Sequence, residues 1–104
     1  MKVRVFATSR YEKEVRRLLA EPEQAALQLA IAADPEAHPI VPGTGGVRKA
    51  RWARQGRGKS GGVRVIYFTR NAAEEIVLLM MYAKAERDSM TAKQLLEIKH
   101  ALDN

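Results

Sequence analysis

The chain contains no cysteine among its 104 residues, which excludes a disulfide framework and every thiolate metal ligand or nucleophile. Long apolar runs are also absent: the uncharged, apolar-rich stretches 24–33 and 76–83 are far shorter than the roughly 20 residues that span a bilayer. Lys2 and Arg4 place charge where a signal peptide would be apolar. We therefore expect one domain, residues 1–104, that stays in the cytoplasm and does not enter a membrane.

Acidic residues are missing from one long segment. No Asp or Glu occurs from Ala37 through Ala73, and this window carries eight Lys and Arg residues, for a charge of +8. The remaining residues carry ten bases and twelve acids, for a charge of −2. Positive charge concentrated in the middle of a small domain predicts a polyanionic partner, whereas a plain solvated face is the alternative interpretation.

The periodicity of apolar residues predicts an α+β domain with the order β-α-α-β-β-β-α and a small, mainly antiparallel, curved sheet. Two of the strands are apolar on both faces, which is typical of central strands covered on both sides. The predicted elements are a strand at Val3–Ala7, a helix after Thr8 and Ser9, a helix from Pro22 to before Pro35, strands at Val47–Ala53, Gly62–Thr69 and Glu75–Ala83, and a helix after Thr91.

Two helix starts have the spacing of a capping box, in which a Ser or Thr side chain is followed three residues later by Glu or Gln. Thr8 and Ser9 both supply candidate N-cap oxygens before the first helix, where Ser9 with Glu12 has this spacing, and Thr91 with Gln94 has it before the last helix. We expect both pairs to satisfy backbone N–H groups at these helix starts.

Several motifs that suggest a ligand site lack the surrounding structure that such a site requires. Residues 56–61 match G-x-G-x-x-G by letter, but a strand follows them where a dinucleotide site needs a helix. His38 and His100 have no metal-ligand spacing, so neither is predicted to bind a metal. Trp52 is more typical of core packing than of base stacking, and Met80 and Met81 are predicted to fill core space.

Side-chain alternation gathers basic residues on one surface. Lys49 and Arg51 share a face of their strand, and Arg64 shares a side with apolar neighbours, where a charge is unexpected. If the strands are adjacent, Tyr82 and Lys84 lie near these three cations at the open end of a concave surface. Like charges this close repel one another, and phosphate binding is the simplest reason for them.

The segments 42–53, 58–67 and 82–86, together with the element order, resemble the RelE/HigB group of bacterial type II toxins, in particular its HigB-2-like branch. The resemblance covers nearly the whole chain. It implies a RelE/ParE-like fold and a ribosome-dependent mRNA endonuclease that needs no metal or other cofactor. It also implies a cognate antitoxin, expected to be a helix-turn-helix, HigA-like protein, with the ribosome and mRNA as further partners.

The basic and phenolic residues fit this chemistry. Arg64 and Arg51 are expected to bind the phosphate in the transition state, because a guanidinium is planar and stays charged. Lys84 and Tyr82 are expected to carry protons, with Lys49 as an alternative to Lys84. Further RNA-binding residues are expected in the basic window: Arg48, Lys49, Arg54, Arg57 and Lys59.

Two other functions remain open at this point. A ParE-like protein of the same superfamily would inhibit DNA gyrase by protein contact, without nuclease chemistry. A non-catalytic RNA-binding module would use the same charge, because electrostatic attraction provides affinity without selecting a reaction.

Overall fold

A computed structural model describes residues 3–54, 62–87 and 89–102. The predicted α+β class and element order are confirmed, and the strand from Glu75 to Ala83 has the predicted bounds. A short 3-10 turn, Asn71–Ala73, connects the last two strands. The elements are β1 (Arg4–Ala7), α1 (Ser9–Leu18), α2 (Glu21–Ala33), β2 (Arg48–Trp52), β3 (Val63–Arg70), β4 (Glu75–Ala83) and α3 (Ala92–His100).

The four strands form one sheet in the order β1-β4-β3-β2. β3 is antiparallel to both β2 and β4, whereas β1 runs parallel to β4. The two strands that are apolar on both faces, β3 and β4, are therefore the central strands, as predicted. β1 and β2 lie at the edges of the sheet.

Helices α1 and α2 cover one face of the sheet. Val15 of α1 and Leu27 and Ile31 of α2 pack with Tyr67 and Met81 of the central strands in a buried cluster. Trp52 packs against the rim of this cluster, so the prediction of a core role for Trp52 is confirmed. This packing leaves the opposite face of the sheet for the remaining elements.

The start of α1 corrects one sequence prediction. Thr8, not Ser9, is the N-cap: the Thr8 side chain accepts a hydrogen bond from Tyr11 N, and the helix begins at Ser9. The Ser9–Glu12 capping box is therefore wrong, because the chain turns into the helix one residue earlier than its spacing requires. The Thr8 hydroxyl also donates to the backbone carbonyl of Leu79 at 2.7 Å, which ties the start of α1 to β4.

Helix α3 covers part of the second face. The predicted capping box is present here, with Gln94 N donating to the Thr91 side chain and Thr91 N donating to the Gln94 side chain. Leu95 of α3 is buried among Phe68, Leu79 and other apolar side chains of this face. Met80 and Met81 are both buried, as predicted.

The connection from α2 to β2 folds along the outer edge of β2. Lys49 N donates to the carbonyl of Pro39 at 3.1 Å, and Val41 N donates to the carbonyl of Val47 at 2.8 Å. Thr44, which is fully buried, donates to the Val41 carbonyl and accepts from Val47 N. These bonds hold β2 in place beside β3.

Among the described residues, no helix is long and apolar enough to cross a membrane.

Candidate RNA-binding and catalytic pocket

A pocket of about 210 Å³ opens on the face of the sheet that carries α3. We call it the cationic pocket, because four of its lining side chains are Lys or Arg. Its other two lining residues carry a phenol and a hydroxyl group, and none is acidic. The lining residues are Lys49, Arg51, Arg64, Tyr82, Lys84 and Ser89.

The register of three strands builds the floor of this pocket. Arg51 of β2 lies opposite Arg64 of β3, and Arg64 lies opposite Tyr82 of β4. Directly opposed residues project from the same face of a sheet, so these three side chains form a row across it. Lys49, two residues before Arg51, projects from the same face.

Lys84 is positioned by the end of β4. The strand stops at Ala83, and Lys84 N donates to the carbonyl of Gly62 at 3.0 Å. This bond continues the β3–β4 pairing by one residue, although Lys84 already belongs to the following turn. The Lys84 side chain lines the cationic pocket.

A β-bulge decides which face Tyr82 occupies. Ile66 pairs with Met80 but Tyr67 pairs with Leu78, so Leu79 has no partner on β3. Tyr82 lies five positions after Val77, and strict alternation would put residues an odd number of positions apart on opposite faces. Because the bulge intervenes, both pack on the α3 face, and Tyr82 lies beside Arg64.

Tyr82 is protonated at neutral pH, because the pKa of a tyrosine is ordinarily 10.0 and burial raises it here. Burial raises the pKa of Tyr82 above its ordinary value, and the positive charges of Arg64 and Arg87 lower it by a smaller amount. The phenol can therefore donate a proton or a hydrogen bond near neutral pH.

The charge of the pocket is complementary to an anion. Four of the lining residues are cations and none is a carboxylate, so the cations repel one another, and this repulsion is relieved when an anion binds.

The remaining residues predicted to bind RNA lie elsewhere. Arg48 projects toward the α1–α2 face, and its guanidinium donates to the carbonyls of Glu36 and His38. Arg54 follows β2 and does not line the pocket. Arg57 and Lys59 lie outside the described residues. The pocket thus gathers Arg64, Arg51, Lys84, Tyr82 and Lys49, and their roles stay predictions.

One lining residue was missed from the sequence. Ser89 lies between β4 and α3, in a short segment without a motif that would single it out. It reaches the pocket through the path of the chain between these two elements. No pattern in the chain alone marks this position.

Within the described residues, no group of three His, Asp or Glu side chains is arranged to hold a metal ion. His38 lies edge-on to Tyr67, with ring centroids 6.2 Å apart. His100 ends α3. Neither histidine lines the cationic pocket.

A family model matches the chain over residues 3–103, nearly its full length, and its description is "RelE toxin of RelE / RelB toxin-antitoxin system". The chain belongs to the RelE toxin family. It is therefore the toxin component of a toxin–antitoxin system, for which the family implies an antitoxin partner. The HigB-2-like branch within this RelE assignment stays a prediction.

A solved structure agrees with the family assignment at the level of fold. The chain is similar to a double arginine-to-alanine mutant of the E. coli toxin RelE in the free state, with a TM-score of 0.64 and 16% sequence identity. The match covers 95% of this chain and 98% of that chain. At this identity the similarity establishes a shared RelE fold over the whole domain.

Proposed function

We propose that this RelE-family toxin is a ribosome-dependent mRNA endonuclease that inhibits translation. The observation that carries the proposal is the row of Arg51, Arg64 and Tyr82 at the floor of the cationic pocket. A pocket with two guanidinium groups and a protonated phenol suits a phosphodiester, which carries a negative charge and needs a proton donor when it is cleaved. Family membership supports the same function.

The proposed reaction uses the RNA's own nucleophile. The 2′-oxygen of one nucleotide attacks the adjacent phosphorus, a 2′-O–P bond forms, and the P–O5′ bond breaks. The products are a 2′,3′-cyclic phosphate and a free 5′-hydroxyl. The 2′-hydroxyl proton passes to a base, and the leaving 5′-oxygen gains a proton from an acid. The protein must position the chain, stabilise the added negative charge and move these two protons.

Arg64 and Arg51 are the proposed phosphate-binding residues. Each guanidinium offers several donors in one plane, which matches two phosphate oxygens at once. Their opposed positions on neighbouring strands hold both groups on a rigid sheet, so little ordering is needed when RNA binds. Because a guanidinium stays protonated at neutral pH, neither residue is a candidate for the base.

Tyr82 is the proposed general acid. Burial keeps its pKa raised, so the phenol holds the proton that the leaving 5′-oxygen requires. The candidate to accept the proton of the 2′-hydroxyl is Lys84, or Lys49 in its place, acting as a neutral amine, because an ammonium group has no lone pair that can accept a proton. Both lysines line the cationic pocket from opposite sides of the row, one on β2 and one after β4.

The proposed partners are the ribosome with its mRNA and a cognate antitoxin of the helix-turn-helix, HigA-like kind. The antitoxin is expected to be encoded in the neighbouring reading frame. Coexpression of the two frames should abolish growth arrest and yield a complex that copurifies. A neighbouring protein that neither binds nor neutralises this chain would contradict the antitoxin proposal.

Primer extension on messages from cells that express the protein tests the proposed function. We expect new 5′ ends within translated codons, and none when translation initiation on the reporter message is blocked. Arg64→Ala should remove the cuts. Arg4→Ala is a matched control, because Arg4 lies on the far edge strand and its exposed side chain pairs with Glu75.

The outcomes separate the competing functions. Intact messages together with gyrase trapped on DNA would contradict the nuclease and favour a ParE-like inhibitor. Intact messages with RNA still bound would favour a non-catalytic RNA-binding module. Cuts that persist unchanged in Arg64→Ala would remove Arg64 from the mechanism.

A further inference from the structure

Arg17 of α1 forms a two-pronged ion pair with Glu86, which lies in the turn after β4. Arg17 Nη2 lies 2.6 Å from Glu86 Oε1, and Arg17 Nη1 lies 2.9 Å from Glu86 Oε2. The same guanidinium donates to Glu14 through Nε and Nη2. Both carboxylate oxygens of Glu86 are therefore engaged by one arginine, a geometry that fixes orientation as well as distance.

The turn that carries Glu86 also carries Lys84 of the cationic pocket. Glu86 N and Arg87 N both donate to the carbonyl of Ala83, so the turn folds back tightly on the end of β4. Glu86 lies two residues after Lys84. The pair with Arg17 anchors this turn to α1.

Glu86 already lies in the field of a cation outside the pair. Its pKa is lowered, chiefly by the hydrogen bonds and charge of Arg17, and the charge of Arg54 adds to the effect. Arg54 follows β2, the strand that supplies Lys49 and Arg51. A carboxylate on a short turn two residues from Lys84 and in the field of Arg54 competes with phosphate for nearby cations, unless it is held by another partner.

We propose that Arg17 is a positioning residue of the cationic pocket, which holds Glu86 against α1 and thereby keeps this carboxylate away from the cations that bind RNA. The inference rests on the proposed function for its ligand. It assigns a role to an arginine that does not line the pocket and need not touch RNA. Loss of Arg17 would release Glu86 to pair with the cations near it.

A double-mutant series, in which each partner of the ion pair is neutralised alone and together, tests this inference. The variants are Arg17→Ala, Glu86→Gln and the double variant, with Arg16→Ala as the matched control. Arg16 is the neighbouring arginine on α1, and it pairs with Glu12 at 3.6 Å. Arg16→Ala and Arg17→Ala have the same net charge, so a difference between them is not a general charge effect. The probe is a short single-stranded RNA with 2′-O-methyl groups, which cannot be cleaved, and its binding is followed by fluorescence anisotropy.

We expect Arg17→Ala to bind the probe about threefold to tenfold more weakly, since one released carboxylate neutralises one phosphate-binding cation. Arg16→Ala should remain within about twofold of the wild type. Glu86→Gln should bind as tightly as the wild type or more tightly, and it should restore binding when it is combined with Arg17→Ala. Arg17→Lys, which keeps the charge but loses the two-pronged geometry, should give an intermediate affinity.

Rescue by Glu86→Gln is the deciding result, because a merely structural role for Arg17 predicts that the double variant binds no better than Arg17→Ala. That outcome, or equal weakening by Arg16→Ala and Arg17→Ala, would overturn the inference. Thermal unfolding of each variant controls for folding. Wild-type protein that binds the probe but leaves ribosome-bound messages intact would refute the proposed function alone. Wild-type protein that does not bind the probe would overturn the inference but not the proposed function, because a ribosome-dependent nuclease need not bind free RNA.

Discussion

Arg64 occupies a position that apolar packing does not explain. Its side chain lies on the same face as the buried residues Ile66 and Phe68, between Arg51 on one strand and Tyr82 on the other. Its guanidinium donates to the adjacent carbonyl of Val63 at 3.3 Å. A cation placed beside another cation in the middle of a sheet is best explained by an anionic ligand.

Arg64→Lys is a sharper test of phosphate binding than removal of the charge. Lysine keeps the positive charge but cannot donate two parallel hydrogen bonds, so we expect cleavage to fall by about tenfold to a hundredfold. Unfolding by urea should show nearly unchanged stability. Single-turnover cleavage on ribosomes that carry a defined codon measures the effect. Full activity in Arg64→Lys would show that charge alone suffices at this position.

Tyr82→Phe separates proton donation from packing. Phenylalanine keeps the ring but has no hydroxyl, so we expect RNA binding to survive and the cleavage step to slow by about a hundredfold or more. Because burial raises the pKa of Tyr82, the wild type should keep its proton donor throughout the neutral range and lose it only at strongly alkaline pH. Equal cleavage rates in Tyr82→Phe and wild type would assign the general acid elsewhere.

Thr8 links two secondary-structure elements that the site depends on. Its side chain caps α1 by accepting from Tyr11 N, and it donates to the carbonyl of Leu79, the bulge residue of β4. One hydroxyl therefore satisfies a free N–H at a helix start and a carbonyl at the bulge. The bulge in turn places Tyr82 on the α3 face.

Thr8→Ala should destabilise the fold by about 1 to 3 kcal/mol, because it removes the helix cap and leaves the Leu79 carbonyl without its donor. Thr8→Ser, which retains the hydroxyl, should lose much less. Urea unfolding of both variants measures the difference. Equal stability of the alanine and serine variants would show that the hydroxyl contributes little and that the bulge is held by packing.

Protonation of buried tyrosines affects the whole molecule. Burial raises the pKa of Tyr11 and of Tyr67 to about 12, while an exposed tyrosine titrates near 10.0. Between these values the folded chain holds protons that the unfolded chain releases. The contribution of these two phenols to the free energy of unfolding is therefore fully present below pH 10 and is lost as the pH rises toward 12.

We expect the urea midpoint to fall steeply over this alkaline range. Tyr67→Phe should make the fall shallower, since one titrating group is removed. The same variant should cost about 1 kcal/mol near neutral pH, because the Tyr67 hydroxyl donates to the carbonyl of Pro35 at 2.6 Å. An alkaline slope that is the same in Tyr67→Phe would exclude Tyr67 as its source.

Much of the architecture is readable along the chain. Periodicity and the punctuation by Pro and Gly predict every element in order, and β3 and β4 are recognisable as central strands because both of their faces are apolar. Alternation places Lys49 and Arg51 on one face, and the acid-poor window marks where positive charge gathers. Local chemistry decides these features, so the sequence alone suffices for them.

Long-range contacts decide the rest. Alternation does not reveal the bulge at Leu79, which puts Tyr82 on the face that carries Arg64, because the bulge is a feature of the pairing between β3 and β4. The ion pair of Arg17 with Glu86 joins residues 69 positions apart. Such contacts form only after the elements pack, since neither partner has a local signal. The sequence determines which cations are available, and the tertiary structure decides which of them meet and which carboxylate is kept from them.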